Sequence, residues 1–308
     1  MDRRQFLRKG FLYSALGGLY ASTIGRLPLF ASRLQAHGQG NYDLVAVRRG
    51  EPVELYRRAM EEMGGMSRFV RPGQSVIIKP NCSWDVPPER GANTNPELVK
   101  AIVEDCLQAG ASRVFAFDHT CDNWERSYAN SGVADAVRLG GGQMLPANLE
   151  RYYTDVTIPG AMRLTSAKVY ERLMESDVYI NVPVLKHHAS TTITVAMKNL
   201  MGVVWDRRFW HRNDLHQCIA DFCLFRKPDL NIVDAYRVMT QNGPRGRSEA
   251  DISVMRSLLV STDIVAVDAA GAMMLGHEPE DIGHLRIAAE MGIGSIDLEA
   301  LNIKRVAL

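Results

Sequence analysis

The stretch VYINVPVLKHHASTTITVAMKNLMGVVW, residues Val178–Trp205, decides the fold prediction for this chain. It opens with Val178–Val182, an apolar segment interrupted by Asn181, whose length and composition are typical of a buried strand. Two basic groups follow it, Lys186-His187-His188 and Lys198-Asn199. Basic residues directly after a buried strand are typical of an α/β protein, which binds its ligand beyond the carboxyl ends of its strands.

On both sides of this stretch, apolar strand segments alternate with amphipathic helices. The helix with the clearest signals has Asn95 as its N-cap and Pro96 at its first position, between strands predicted at Ser75–Ile78 and Arg113–Phe117. Such a strand–helix–strand unit is right-handed and its strands are parallel. We therefore predict a single α/β domain over residues 42–308, with a largely parallel open sheet, helices on both faces, and a smaller α+β elaboration at 121–167.

Five of the predicted strands end in polar or charged residues. These residues are Lys79 and Asn81, Asp118 and His119, Asn181 leading to Lys186, Asp234, and Ser261 with Asp263. Because the carboxyl ends of parallel strands meet at one edge of a sheet, the pattern predicts one shared crevice there.

Composition bounds the class of protein. The chain has 308 residues, 46% of them hydrophobic, which is enough for a sizeable core. Residues 1–36 hold six of the 36 basic side chains and one of the 35 acidic ones, so the rest of the chain carries a net charge of about −4. A mildly acidic body does not attract nucleic acid, and we predict no nucleic-acid partner.

The N-terminus has the pattern of a targeting signal. Arg3-Arg4 opens a twin-arginine motif, and the moderately apolar segment Gly10–Gly25 follows it. We predict a twin-arginine signal peptide at 1–36, recognised by the twin-arginine export machinery, and a periplasmic or otherwise exported protein that touches the membrane only through this segment. The signal is either cleaved near Leu34-Gln35-Ala36 or kept as an anchor. The alternative is a basic amphipathic start of a cytoplasmic protein.

The cysteines and histidines bear on cofactors. None of the five cysteines forms a CxxC pair, so the sequence has no iron–sulfur cluster motif, and one disulfide stays an alternative. A divalent metal is a further alternative, with His119, His188 and His216 as candidate ligands. Their spacing matches no local motif, so such a site would have to assemble across the fold.

Several motifs, in this order, resemble the bacterial and archaeal family catalogued as domain of unknown function 362. The family pattern usually has Lys-Thr-His where this chain has Lys186-His187-His188, so His188 takes the histidine position. The resemblance implies a fold and a site but no established reaction. Many members also carry a ferredoxin-like cluster domain, for which this sequence has no cysteine motif. The matching segments are Val76–Asn81, Thr94–Pro96, Ile180–His188, Met197–Gly202, Ile232–Ala235, Gly243–Gly246 and Ser261–Asp268.

The predicted site combines cations, imidazoles and carboxylates. An ammonium at a strand end pairs with a carboxylate or phosphate, and burial lowers a lysine pKa toward neutral pH. A Gly-Pro-x-Gly loop either cradles an anion through its N–H groups or is only a turn. We expect the catalytic residues to be Lys186, His188, Asp118 and Asp234, and the substrate-binding residues to be Lys79, Asn81, Asn181, Lys198, Asn199, Gly243 and Gly246.

Three functional hypotheses follow from these residues. The first is an exported enzyme that acts on a small anionic ligand, a carboxylate or a phosphate, with or without a metal. The second is a periplasmic protein that binds an anion or a cofactor without chemistry. The third is a redox protein with a metal centre that uses no cysteine. The basic and aromatic segment Arg207–Arg212 is either a lid over the crevice or a solvated loop.

Overall fold

The computed structural model describes residues 42–308. The signal peptide predicted at 1–36 lies outside the described residues. Among residues 42–308, no helix combines the length and the apolar character needed to cross a membrane.

The described chain alternates strands and helices. The strands are β1 (Leu44–Arg48), β2 (Ser75–Pro80), β3 (Arg113–Ala116), β4 (Gln143–Met144), β5 (Tyr153–Thr157), β6 (Ser166–Tyr170), β7 (Val178–Val182), β8 (Val184–His188), β9 (Thr192–Thr194), β10 (Leu230–Met239), β11 (Ile252–Ser261) and β12 (Ile303–Ala307). The helices are α1 (Pro52–Met63), α2 (Pro96–Gln108), α3 (Trp124–Asn130), α4 (Val133–Leu139), α5 (Glu171–Glu175), α6 (Ala196–Asn199), α7 (Arg207–Arg212), α8 (Leu215–Phe222), α9 (Ile264–Met274) and α10 (Gly283–Glu290).

Ten strands form one sheet, and most of its pairs are parallel. The order is β12-β1-β11-β10-β7-β2-β3-β4, with β8 pairing to β10 and β9 pairing to β8. Strand β11 is antiparallel to both of its neighbours, and β9 is antiparallel to β8. The chain therefore has the predicted α/β fold with a largely parallel open sheet.

Hydrophobic clusters cover both faces of the sheet. Alternate residues of β7 point to opposite faces, so Tyr179 joins one cluster while Val178 and Ile180 join the other. Helices α8, α9 and α10 contribute to the first cluster, and α1, α2 and α4 contribute to the second. Each fully buried aliphatic side chain stabilises such a core by about 1.5–3 kcal/mol, and the two layers fix where the strands end.

The direction of β11 corrects the prediction that five strand ends share one edge. β10 and β11 are joined without an α-helix, as a long hairpin, and Ser261 pairs with Asn231 at the beginning of β10. The end of β11 therefore points in the opposite direction from the ends of the parallel strands. There Asp263 is the N-cap of α9, and its Oδ1 accepts hydrogen bonds from the N–H groups of Val265 (2.8 Å) and Ala266 (3.0 Å).

Two further strands differ from the predicted boundaries. The basic residues Lys186-His187-His188, expected in a loop, form the end of β8, which pairs with β10 and β9. Strand β10 continues through Asp234 to Met239 instead of ending at Asp234. Because side chains alternate along a strand, Lys186 and His188 face one side of β8 and His187 faces the other.

The middle of the chain divides between two sheets. Helices α3 and α4 lead into β4, which pairs with β3 of the main sheet, while β5 and β6 form a separate antiparallel pair. The division into a main domain and an elaboration at 121–167 stays a prediction. All five cysteines lie among the described residues and are unpaired.

Candidate functional site

A cleft of about 520 Å³ lies beyond the ends of β2 and β8, within the range of about 300–1,000 Å³ that is usual for small-molecule sites. Helices α6 and α7 and the loops after β2 and β3 complete its walls. Lysine, arginine, histidine, amide and hydroxyl side chains line the cleft, and no Asp or Glu of residues 42–308 does. The lining gives the cleft a positive character.

One lysine of the cleft, Lys79, is neutralised by the protein itself. Its Nζ lies 2.8 Å from Asp118 Oδ1 and donates a 2.8 Å hydrogen bond to Asn199 Oδ1. The second carboxylate oxygen of Asp118 accepts from the N–H of Cys82 (2.9 Å) and from the Ser83 hydroxyl (2.8 Å). Lys79 and Asp118 are each 1% exposed. The predicted catalytic residue Asp118 therefore lies behind the cleft with both oxygens occupied, and it anchors the loop after β2.

Gly202 packs directly against this ion pair. A Cβ at this position would lie 2.1 Å from Asp118 Oδ1 and 2.5 Å from Lys79 Nζ. No side chain fits at that distance, so the glycine of the Met197–Gly202 motif is required by the close approach of the backbone to the pair.

A chain of amides continues from Lys79 into the core. Asn199 Nδ2 donates to Asn181 Oδ1 (2.8 Å), and Asn181 Nδ2 donates to Asn231 Oδ1 (3.1 Å) and to the Ala196 carbonyl (3.1 Å). Asn199 lines the cleft, whereas Asn181 is fully buried behind it. Asn181 therefore orients Asn199 and α6, and its distance from the cleft separates it from the predicted substrate-binding set.

Lys186 is buried but has no carboxylate partner among residues 42–308. Its Nζ donates a 2.5 Å hydrogen bond to the Ala92 carbonyl and lies 6.0 Å from the centre of the Trp84 ring. Among residues 42–308, the lysines in ion pairs are Lys79, Lys100, Lys168 and Lys304. Burial lowers the pKa of Lys186 to about 7, an effect that Cys121 and Asp118 partly oppose. The ammonium is therefore in equilibrium with the neutral amine near neutral pH.

Lys198, on α6, resembles Lys186 in its lack of an ion pair among the described residues and in its lowered pKa. Its Nζ contacts Met201 Sδ at 3.0 Å, and it makes no ion pair with the described residues. Burial lowers its pKa to about 8. Two lysines of the same cleft are thus held in surroundings that disfavour their charge.

Asp268 of α9 fixes the helix that carries Lys198. Its two oxygens accept hydrogen bonds from the N–H groups of Ala196 (2.6 Å) and Met197 (3.1 Å), at the beginning of α6. Burial raises its pKa to about 8 in spite of these two bonds. A helix of four residues has little stability of its own, so its position depends on this clamp.

His188 faces the cleft as a neutral ring. Its Nδ1 accepts a 3.0 Å hydrogen bond from the Ser190 N–H, so the proton of the neutral ring is on Nε2. Burial, with the nearby charges of Lys198 and Lys186, lowers its pKa to about 2. His188 can therefore donate a hydrogen bond through Nε2, but it does not become charged near neutral pH.

Three residues of the predicted site have structural partners elsewhere. Asp234 accepts from the N–H groups of Asn95 (2.8 Å) and Tyr236 (3.0 Å) and does not line the cleft. The Gly243 N–H donates to His187 Nδ1 (3.1 Å), and the Gly246 N–H donates to the Asn242 carbonyl (3.1 Å). Because these two N–H groups are already bonded, the loop shapes the cleft wall through Pro244 and offers neither N–H to an anion.

The three candidate metal ligands are separated. His119 stacks on Trp205 at 5.0 Å, with Nδ1 2.8 Å from the Val204 carbonyl, and it lines a neighbouring cleft of about 690 Å³. His216 stacks on His284 at 5.6 Å, between α8 and α10. Within residues 42–308, no three His, Cys, Asp or Glu side chains are grouped to hold a metal ion.

Sequence reasoning missed one part of the cleft, Cys121, and left a second part, the Arg207–Arg212 segment, open between a lid and a solvated loop. Cys121, considered only for pairing, is exposed on the cleft wall. The Arg207–Arg212 segment is helix α7, anchored by the buried Trp210, and Arg207, Arg208 and His211 line the cleft from it. The Arg207 guanidinium donates to the carbonyls of His119 and Thr120, both at 2.8 Å. The mixture of arginines and aromatic residues in this segment was the available sequence signal. The position of the segment above the cleft depends on the fold.

Three comparisons relate the chain to known proteins. The sequence profile described as domain of unknown function (DUF362) matches residues 76–273, more than half of the chain. The thylakoid-associated protein sll1697 of Synechocystis is 29% identical over 253 residues, which cover 79% of this chain and 76% of that protein. A solved lactate racemase apoprotein from Thermoanaerobacterium thermosaccharolyticum aligns with a TM-score of 0.45 and 12% identity, over 82% of this chain and 57% of that one. On the profile match, the chain belongs to the DUF362 family.

Proposed function

We propose that this chain is an exported α/β enzyme that acts on a small substrate bearing a carboxylate or phosphate group. One observation carries the proposal. Lys186 is buried and Lys198 is half-buried, both without an ion-pair partner among residues 42–308, on a cleft to which the described residues contribute no carboxylate.

Energetics supports an anionic ligand. A buried charge without a counter-ion is costly, and proteins normally pair it or neutralise it. A bound carboxylate or phosphate supplies the missing counter-ion and forms charge-assisted hydrogen bonds with both ammonium groups. Arg207 and Arg208 at the wall add further positive charge at the entrance.

The cleft also has a group suited to proton transfer. A general acid or base works best when its pKa lies near the working pH, and the pKa of Lys186 is about 7. His188 would donate a hydrogen bond through Nε2 to a substrate oxygen. Lys79 would stay in place through its contacts with Asp118 and Asn199. Among the predicted catalytic residues, we therefore assign proton transfer to Lys186 and not to His188 or Asp118.

The test is a ligand screen with matched lysine variants. Carboxylates and phosphates, each with and without a divalent metal, are screened by thermal shift, and hits are measured by calorimetry in the wild type, Lys186→Met, Lys198→Met and Lys100→Met. Lys100 is the control, because it is half-exposed on α2 and pairs with Glu104 at 3.4 Å. Hits should weaken in the first two variants and persist in the third. Hits that bind Lys186→Met and Lys198→Met as tightly as the wild type would refute the anion site.

A non-catalytic anion-binding or cofactor-binding protein is the second candidate. It is favoured by the surroundings of two predicted catalytic residues, since Asp118 is paired with Lys79 and His188 stays neutral. Turnover decides between the two. Conversion of a hit, followed by NMR and lost in Lys186→Met, supports the enzyme, whereas binding without conversion supports the second candidate.

Export is proposed on the twin-arginine motif at Arg3-Arg4. The expected result is that the full chain reaches the exported fraction of its native cell type and that replacing both arginines by lysine retains it inside. Equal distribution of the two forms would contradict export by this route.

A further inference from the structure

Cys121 differs from the other cysteines in its exposure and its surroundings. It is exposed and lines the cleft, and Arg207 Nη1 lies 3.5 Å from its Sγ. The remaining four, Cys82, Cys106, Cys218 and Cys223, are buried. A reagent in solution therefore meets one thiol of the folded protein.

The side chains around this sulfur are mainly cationic. Lys186 and Lys198 are close enough that Cys121 opposes part of the effect of burial on the pKa of each. The adjacent carboxylate, Asp122, is already compensated, because it lies 3.4 Å from Arg245 and accepts from the Asp85 N–H (3.1 Å). Uncompensated positive charge at a cleft attracts anionic reagents and raises their rate of association.

Polar groups without partners also line this cleft. Asn81 Oδ1 and Thr194 Oγ1 have no hydrogen-bond partner among the described residues, although the two residues are only 6% and 3% exposed. Buried polar groups are nearly always bonded, so unpaired ones beside a cleft indicate that a polar ligand completes them. A molecule with amide and carboxylate groups meets this requirement, since it offers donors, acceptors and negative charge.

We propose that Cys121 is a site of reversible S-thiolation by anionic low-molecular-weight disulfides of the glutathione type. The Cys121 sulfur attacks one sulfur of the reagent, a new S–S bond forms, and the S–S bond of the reagent breaks. The departing half leaves as a thiolate and takes up the proton that Cys121 loses. Cys121 is thereby oxidised, half of the reagent is reduced, and the retained half lies in the cleft with its carboxylates near the lysines. Excess thiol reverses the reaction.

The test compares an anionic with a cationic disulfide on the intact chain. Oxidised glutathione and cystamine are reacted with the wild type and followed by intact mass and peptide mapping, with a small unhindered thiol as the reference. The expected result is a single adduct at Cys121, absent in Cys121→Ser, and a preference for the anionic reagent about tenfold above that of the reference thiol. An adduct elsewhere, or no preference for oxidised glutathione, overturns the proposal.

Charge variants locate the source of the preference. Arg207→Met and Arg208→Met should each lower the preference for oxidised glutathione about threefold, since each removes one positive charge from the cleft. Arg208 is the safer position, because its side chain is exposed whereas Arg207 holds two carbonyls. The four buried cysteines report on folding, since unfolded protein would label at all five positions. The measurement needs no substrate, so its failure is distinct from failure of the anion screen.

Discussion

Lysines in two kinds of surroundings meet at the same cleft. Lys79 is enclosed by Asp118 and Asn199, whose oxygens lie 2.8 Å from its Nζ. Lys186 and Lys198 are bonded to a carbonyl and to a thioether sulfur, and neither pairs with a carboxylate among residues 42–308. The same residue type thus supports the fold in one place and awaits a counter-ion in the other. The difference indicates that partners, more than burial, distinguish a lysine that supports the fold from one that we propose binds a ligand.

The largest expected effect is loss of the structural pair. Asp118→Asn leaves Lys79 buried without a counter-charge, and we expect the free energy of unfolding to fall by about 3–5 kcal/mol in urea titration. The matched control is Asp122→Asn. Its ion pair with the half-exposed Arg245 is at the surface, where such pairs contribute about 0–1 kcal/mol. Similar losses in the two variants would show that the Lys79–Asp118 pair is not a structural anchor.

The next effect concerns the unpaired lysines. Lys186→Met removes a charged hydrogen-bond donor from the cleft, and we expect the affinity for an anionic hit to fall about 10- to 100-fold, since such bonds contribute about 1.5–3 kcal/mol. Calorimetry measures the change. Lys100→Met should leave the affinity unaltered, and an equal loss in that control would mean that net charge, not position, sets the binding.

A third effect tests the support of α6. Asp268→Asn and Asp263→Asn each replace a carboxylate of α9 that accepts two backbone N–H groups at a helix beginning, that of α6 for Asp268 and that of α9 itself for Asp263. We expect each to lower the free energy of unfolding by about 1–2 kcal/mol. Only Asp268→Asn should also weaken anion binding, because α6 carries Lys198. An equal loss of binding in Asp263→Asn would mean that α9 as a whole, and not the bonds from Asp268 to α6, supports the cleft.

The smallest effect is a slope with pH. The pKa of Lys186 is about 7 in the folded protein and about 10.4 in an unfolded chain, so between these values the unfolded state binds more protons. Lys186 therefore makes stability rise with pH above 7, by at most about 1.4 kcal/mol per pH unit, and has no slope below it. Asp268, whose pKa is raised to about 8, acts in the opposite direction below pH 8.

The lysine contribution is isolated by subtraction. Unfolding free energies of the wild type and Lys186→Met are measured from pH 6 to pH 9 without ligand, and the wild type should gain on the variant as pH rises. Parallel curves would mean that Lys186 keeps its ordinary pKa.

Short sequence patterns correctly predicted the strands and helices that depend on neighbouring residues alone. The apolar run Val178–Val182 is strand β7, and Asn95 with Pro96 begins α2 as predicted. The predicted direction of β11 was wrong, because the residues of a strand do not show whether a hairpin or a helical crossover connects it to the strand before it. β8 was missed because Lys186 and His188 are polar at positions that face a cleft, which breaks the alternation expected of a half-buried strand.

The candidate site was predicted in part for the same reason. Lys79, Asn81, Lys186, His188, Lys198 and Asn199 do line one cleft, because each follows or ends a buried element. The sequence could not predict which of these lysines lacks a counter-charge. The partner of Lys79 is Asp118, 39 positions further along the chain, and the carboxylate that holds α6 belongs to α9. Cys121 had no motif around it, and only the fold brings it to the lysines.

Gly202 has a consequence for mutational scanning. A library at this position selected only for expression of folded protein should already be reduced to glycine, since any Cβ collides with the Lys79–Asp118 pair. Lys186, by contrast, should tolerate many residues under that selection and become invariant only when growth depends on the activity. The ratio of the two enrichment scores would therefore identify a growth condition in which this protein is needed, before its substrate is identified.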